Sequence, residues 1–204
     1  MRFFSQVIVP RLCDLLLNKS LLTRHRRQLL AGAYGDVLEI GFGTGLNMPY
    51  YAERVRKLTA VDPNPGMHRL AQKRIKQRGI EVDRQVLGGE RLPFEDVRFD
   101  CAVSTFTLCS IEGVGQALRE VYRVLKSGGK FLFLEHGLSP EPRVQKWQHR
   151  LNWPQMRLAG GCHLDRNMKE LVAAQPFASV EIEELYLEKT PKTHGYLYRG
   201  MAIK

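Results

Sequence analysis

The feature that most constrains this chain is the stretch VLEIGFGTGLN, residues 37 to 47, an apolar run that ends in an acid and breaks into glycines spaced GxGxG. A short apolar run bounded by glycine predicts a buried strand that turns sharply at its carboxyl end. Turns of this kind bring backbone close to a ligand with no side chain in the way. The spacing is not the GxGxxG of a dinucleotide fold, and Glu39 stands where a pyrophosphate would be repelled.

Downstream, strand-like and helix-like segments alternate, the signature of a parallel sheet covered by helices on both faces. Strands are expected near residues 36 to 40, 57 to 61, 82 to 87, 98 to 105 and 130 to 135. In DPNPGMHRLAQKRIKQRG, Asn64 is a cap, Pro65 fits the first turn, and Gly79 is a left-handed stop. Val114, Ala117, Leu118, Val121 and Leu125 mark a second helix closing at Lys126. Two helices follow, around 143 to 154 and 165 to 174, then SVEIEELYLEK and YLYRGMAIK read as a long hairpin. The expected class is α/β: a doubly wound, mostly parallel seven-stranded sheet, Rossmann-like, ending in an antiparallel hairpin.

The N-terminal residues 1–32 read as amphipathic helices preceding a main domain over 33–204. Phe3, Phe4, Val7, Ile8, Leu12, Leu15 and Leu16 share one helical face, with Pro10 as a kink or early turn. After Ser20 a second helix carries Leu21, Leu22, Leu29 and Leu30 beside the basic run Arg24 to Arg27. Such a segment either forms a lid over the ligand crevice or lies on an anionic membrane. Among 204 residues, 31 basic against 21 acidic give a net charge of +10, which favours an anionic partner. The basic residues are spread over helices without an aromatic-basic patch, so no nucleic acid is expected. Arg11 and Asp14 interrupt the first apolar stretch, so no secretory signal or span is expected there, and a cytoplasmic protein is expected, with peripheral membrane contact left open. Cys13, Cys101, Cys109 and Cys162 have no CxxC spacing and read as reduced, mostly buried thiols.

In an open α/β sheet ligands bind at the carboxyl ends of the strands where strand order reverses. Gly41, Gly43 and Gly45 follow the first strand, and Asp62 ends the second, placed to accept both hydroxyls of a ribose. Gly89 and Glu90 end the third, within reach of a purine edge. A diphosphate needs the positive end of a helix, whereas Glu39 near the loop favours a cation, as in the sulfonium and ammonium of S-adenosylmethionine.

VLEIGFGTGLN, VDPNPGM, GGERLPF, FDCAVSTFTLCSI and LREVYRVLKSGGKFLFLEH resemble the successive motifs of class I S-adenosylmethionine-dependent methyltransferases, in the subgroup related to the ubiquinone and menaquinone C-methyltransferases. STFTLCS and WQHRLNWPQMRLAGGCHLDRNMKELV are similar to a narrower group of alkyl-thiol methyltransferases and small bacterial relatives. The resemblance covers roughly residues 24 to 204. It implies Gly41, Gly43 and Gly45 at the methionine part of the donor, Asp62 on the ribose, Asn64 and Met67 near the adenosine, and Gly89, Glu90 and Arg91 by the adenine. Thr105 and Leu108 would face the methyl donor. The Asn-Pro-Pro-Tyr type of tetrad is absent where STFTLC stands, which argues against an enzyme methylating DNA or glutamine amines.

Transfer from a sulfonium is an in-line displacement in which orientation contributes up to about 7 to 11 kcal/mol. A base is optional, and the candidates are His136 and His163 with Asp165, each with a structural alternative; Asp165 can equally cap the helix from 166. Cys162 beside His163 has no further spaced partner, so no metal is expected. The expected acceptor is small and hydrophobic or a lipid: an alkyl thiol or the amine of phosphatidylethanolamine, with a quinone precursor as the alternative and RNA behind it. A scaffold that binds the donor without catalysis is disfavoured by the intact glycines and Asp62.

Overall fold

The computed structural model describes residues 9–18 and 20–204. Two helices, α1 (Val9–Leu17) and α2 (Ser20–Leu30), precede a single seven-stranded sheet. The strands are β1 (Gly35–Ile40), β2 (Val55–Val61), β3 (Glu81–Gln85), β4 (Phe99–Thr105), β5 (Leu125–His136), β6 (Ser179–Tyr186) and β7 (Tyr196–Ile203). Their order is β3-β2-β1-β4-β5-β7-β6, parallel through β5 and antiparallel in the final pair. The expected doubly wound sheet with a terminal hairpin is therefore present. Strand order reverses between β1 and β4, which puts the ligand crevice of such a sheet at the carboxyl ends of those two strands.

Helices α3 (Met67–Arg78), α4 (Val114–Val124), α5 (Pro142–Leu158), α6 (Met168–Ala173) and the short α7 (Lys192–Gly195) complete the chain. One core layer packs Leu118, Val121 and Val124 of α4 with Phe131 and Phe133 of β5 and Met168 of α6. The opposite layer packs Leu22, Leu29 and Leu30 of α2 with Val37, Leu58 and Leu132. Helix α2 is thus an integral part of the core. On α5 the outward positions hold Trp147 and Trp153, each with an arginine, Arg150 or Arg157, over its ring.

Several boundaries differ from the sequence reading. Gly66, and not Asn64, stands at the N-cap of α3, while Asn64 Oδ1 accepts from the Gly66 amide at 2.9 Å in a turn before the helix. Gly79 closes α3 in the left-handed conformation, as expected. Helix α4 stops at Val124, because Leu125 already pairs with Phe99 as the first residue of β5. Helix α5 runs through Pro154 to Leu158, giving up one internal hydrogen bond to the proline. Helix α6 is capped by Asn167, whose side chain accepts from the Glu170 amide; Asp165 instead approaches His149 and His163.

Gly200 on β7 lies where a Cβ would overlap the Phe133 ring and come within 2.7 Å of the Glu181 carbonyl. Gly79 has the strained φ but open space around it. Gly200→Ala is therefore expected to destabilise by about 3 kcal/mol through overpacking and Gly79→Ala by about 1 kcal/mol through backbone strain. Denaturant unfolding of the two variants measures the contrast.

Candidate active site

A cavity of about 100 Å³, partly open to solvent, lies at the carboxyl ends of β1 and β4. The turn after β1 forms one wall with Gly41, Phe42, Gly43 and Thr44. Gly41 has φ +72°, and a Cβ there would fall inside the Thr107 side chain, so the turn and the β4 loop close on each other only with glycine at this position. Gly43 has φ +56°, and its missing Cβ would face open space, its nearest atom being the Gly41 carbonyl at 3.8 Å. A side chain at Gly43 would fill volume the cavity now has.

Thr105 at the end of β4, with Phe106 and Thr107 just after it, forms the opposite wall. Phe106 holds φ +53°, a conformation rare for a bulky residue. The fully buried Glu135 carboxylate of β5 keeps it there: it accepts the Thr107 amide at 3.0 and 2.9 Å and the Ser104 hydroxyl at 2.8 Å. Burial raises the Glu135 pKa, and these donors oppose the rise.

The electrostatic centre of the wall is Glu39, which is buried on β1. Its two oxygens accept the Asn47 amide at 2.7 Å and the Tyr51 hydroxyl at 2.6 Å. Burial pushes its pKa up to about 7, against the pull of Tyr51, Asn47 and the nearby Arg26. Arg26 of α2 is buried too, donating to Asn47 Oδ1 at 2.6 Å and Thr105 Oγ1 at 3.1 Å with its guanidinium 5.5 Å from the Phe106 ring centre. Asn47 thus joins one carboxylate and one guanidinium on a single wall. That pairing complements the ammonium and carboxylate of an α-amino acid, and it has no use for a diphosphate.

Helix α1 closes the remaining side, with Leu17 on the wall. Asp14 accepts the Thr44 hydroxyl at 2.6 Å and Arg74 at 2.7 Å, which ties α1 to the glycine turn and to α3. Phe3, Phe4, Val7 and Ile8 lie outside the described residues.

The cavity gathers Glu39, Gly41, Gly43, Met67 and Thr105 among the residues singled out from sequence. Gly45 packs against Ala71 and Phe42 beneath the turn. Asp62 sits beside it: its Oδ2 accepts the Gly43 amide and its Oδ1 the Asn64 amide, both at 2.8 Å. Gly89 is required by packing, since a Cβ there would come 2.9 Å from Ile40; Glu90 folds back over Gly88, and Arg91 is exposed. Leu108 is fully buried in the core and does not face the cavity, because the β4 loop has already turned inward there.

Neither histidine lines the cavity. His136 is buried with Nε2 2.8 Å from Cys162 Sγ; burial works to lower its pKa, and Cys162 overcomes this and raises it. His163 approaches Asn152 at 3.5 Å and Asp165 at 3.7 Å, with burial lowering its pKa. Cys162 pairs with His136 rather than with its neighbour His163, and Cys109 completes a cluster.

Arg26, Asn47, Tyr51 and Thr107 are the site residues the sequence reading missed. Arg26 carried a signal: it shares the three-to-four spacing of Leu22, Leu29 and Leu30, and a charge at the phase of a buried stripe marks a built interaction. Arg26→Met leaves Asn47 and the Glu39 carboxylate without their cation and is expected to destabilise by about 2 to 4 kcal/mol. Arg24→Met on the exposed side of α2 is expected to stay within about 0.5 kcal/mol of the parent. Thermal and denaturant unfolding check the pair.

A family model described as a methyltransferase domain matches residues 38–133. The chain is 34% identical over 160 residues to rat thiol S-methyltransferase TMT1B, covering 76% of this chain and 65% of that one, slightly under two thirds of its length. It is 32% identical over 181 residues to human thiol S-methyltransferase TMT1A, covering 83% of this chain and 73% of the other. Phosphatidylethanolamine N-methyltransferase of Cereibacter sphaeroides is 27% identical over 173 residues, covering 80% and 77%. A solved Thermotoga maritima S-adenosylmethionine-dependent methyltransferase, described as a possible histamine N-methyltransferase, superposes with a TM-score of 0.70 at 20% identity, covering 100% and 99%. The fold, the turn after β1 and these relatives agree: the chain belongs to the class I S-adenosylmethionine-dependent methyltransferases.

Proposed function

We propose that this enzyme transfers a methyl group to the sulfur of a small hydrophobic thiol. The observation that carries the reading is the chemistry of the cavity wall. Among the described residues lining it, only Glu39 and Arg26 are charged; both hydrogen-bond Asn47, and with the donor's amino-acid end bound to them neither is left over as a base for the acceptor. A thiol with a pKa of about 8.5 is ionised to a few per cent at neutral pH and is intrinsically nucleophilic, so a wall without a free base suits it. An ammonium headgroup or a ring carbon must first lose a proton. The similarity to the TMT1 proteins supports the same acceptor.

In this reading Glu39 takes the ammonium of S-adenosylmethionine, Arg26 its carboxylate, the Gly41 to Gly45 turn its methionine part and Asp62 its ribose. When bound, the donor supplies an electrophilic methyl on a sulfonium. The chain's own work is orientation and exclusion of water. Helix α1 serves as the lid, through Leu17 and Asp14, over a wall to which the core helix α2 contributes Arg26. Leu12, Leu15 and Leu16 are left outward on α1, which gives an apolar approach for the acceptor or a contact with lipid. Phosphatidylethanolamine is the second acceptor, favoured by those leucines, by the charge of +10 and by the Cereibacter relative. No helix among the described residues is long and apolar enough to cross a membrane.

Incubation with methyl-labelled donor and separate samples of an alkyl thiol, phosphatidylethanolamine vesicles, a demethylated quinone and total RNA is expected to label the thiol. Label in the vesicles or the quinone and none in the thiol replaces this reading.

Glu39 gives a pH dependence with a definite sign. Its carboxyl is about half protonated near pH 7 in the free enzyme, and binding a cation requires the ionised form. Donor affinity is therefore expected to fall as pH drops from about 7 to about 5.5, by up to about tenfold per unit. Glu39→Gln is expected to bind more weakly and with no such slope. Calorimetric titration across that interval tests both statements, and a slope retained in Glu39→Gln refutes the assignment.

A further inference from the structure

Behind the β4 loop three ligand-bearing side chains converge from three separate segments. Cys109 comes from the loop after β4, His136 from the end of β5, and Cys162 from the loop after α5; all three are buried, with their ligand atoms within 4.8 Å of one another. Cys109 and Cys162 bring their sulfurs to 3.7 Å. Metal–sulfur bonds of about 2.3 Å in a tetrahedron place two sulfurs about 3.8 Å apart, so the sulfur pair already stands at that edge. The His136 Nε2 to Cys162 Sγ distance of 2.8 Å is that of a direct imidazole–thiol contact. A metal-bound nitrogen stands about 3.5 Å from a sulfur on the same ion, so the ring must withdraw by less than an ångström.

His136 Nδ1, the ring nitrogen turned away from the sulfurs, is buried with no hydrogen-bond partner among the described residues, so the ring is held at the cluster through Nε2. The segments around the cluster are fixed before any ion arrives. The His163 amide donates to the Cys109 carbonyl at 2.8 Å, and Arg166 donates to the carbonyls of Leu108 and Ile111. Convergence of two thiols and an imidazole in a pre-shaped pocket selects soft or borderline cations over magnesium and calcium, which take oxygen ligands.

We infer that Cys109, His136 and Cys162 form a binding site for one thiophilic metal ion of the zinc class, distinct from the donor cavity. The ion ties the β4 loop to the end of β5 and to the loop at residues 159–167, and its fourth position is left to a non-protein ligand. Binding releases the thiol protons, two thiolate–metal bonds and one imidazole–metal bond form, and no oxidant or reductant is involved.

The test uses the full chain without a histidine tag, purified under reductant after growth with added zinc. Elemental analysis after gel filtration is expected to find about one zinc per chain. Cys162→Ser and Cys109→Ser are expected to lose at least about nine-tenths of it, while Cys101→Ser, a buried thiol outside the cluster, keeps it. Cobalt(II) added to the reduced, metal-stripped wild-type chain provides a reading independent of any variant's folding: a thiolate-to-cobalt charge-transfer band in the near ultraviolet, saturating at one equivalent. Absence of zinc together with absence of that band overturns the site. Undiminished zinc in a folded Cys162→Ser chain also overturns it, as does a Cys109–Cys162 disulfide that persists in reductant.

Discussion

The architecture of the cavity between β1 and β4 depends on one buried carboxylate. Glu39 lies buried at the carboxyl end of β1, where an unpartnered charge would be costly. Tyr51 and Asn47 relieve that cost, and each comes from the segment between β1 and β2. Asn47 then passes its carbonyl to Arg26, so the same network reaches helix α2 and the end of β4. The first strand, the glycine turn, the N-terminal helices and the fourth strand thereby share one set of hydrogen bonds. A change at any member is felt on every wall.

Glu135 has the corresponding task on the other side of β4. It grips the Thr107 amide with both oxygens and lets Phe106 hold a left-handed backbone that, left to itself, would relax. The two carboxylates differ in use. Glu39 faces the cavity and titrates near neutrality, whereas Glu135 faces only protein donors and serves as a strut.

The doubly wound sheet and its final hairpin were legible because each rests on local signals: apolar runs, glycine stops and the spacing of Val114 to Val121. The glycine turn and Glu39 were legible for the same reason. Boundaries set by tertiary pairing were not, as when Leu125 joins β5 because Phe99 is there to receive it. Gly89 and Leu108 pack against core residues and His136 has a sulfur neighbour, contacts that position after a strand does not reveal. Cys109, His136 and Cys162 are far apart in the chain, with no spacing to betray them. Residues 1–32 read as amphipathic helices from their periodicity, and that pattern does not say that Leu22, Leu29, Leu30 and Arg26 are core and cavity residues. Only the folded sheet supplies the surface that gives those residues their meaning.

The chain has two tryptophans, and both stand on the outer face of α5, 54% and 64% exposed, each beneath an arginine. Its ultraviolet emission therefore originates in water and not in the interior. The light will be red-shifted in the native state, will shift little on unfolding, and will be quenched by iodide while the protein is intact. An optical titration on this molecule reports what settles against α5, and is nearly blind to what enters the cavity between β1 and β4.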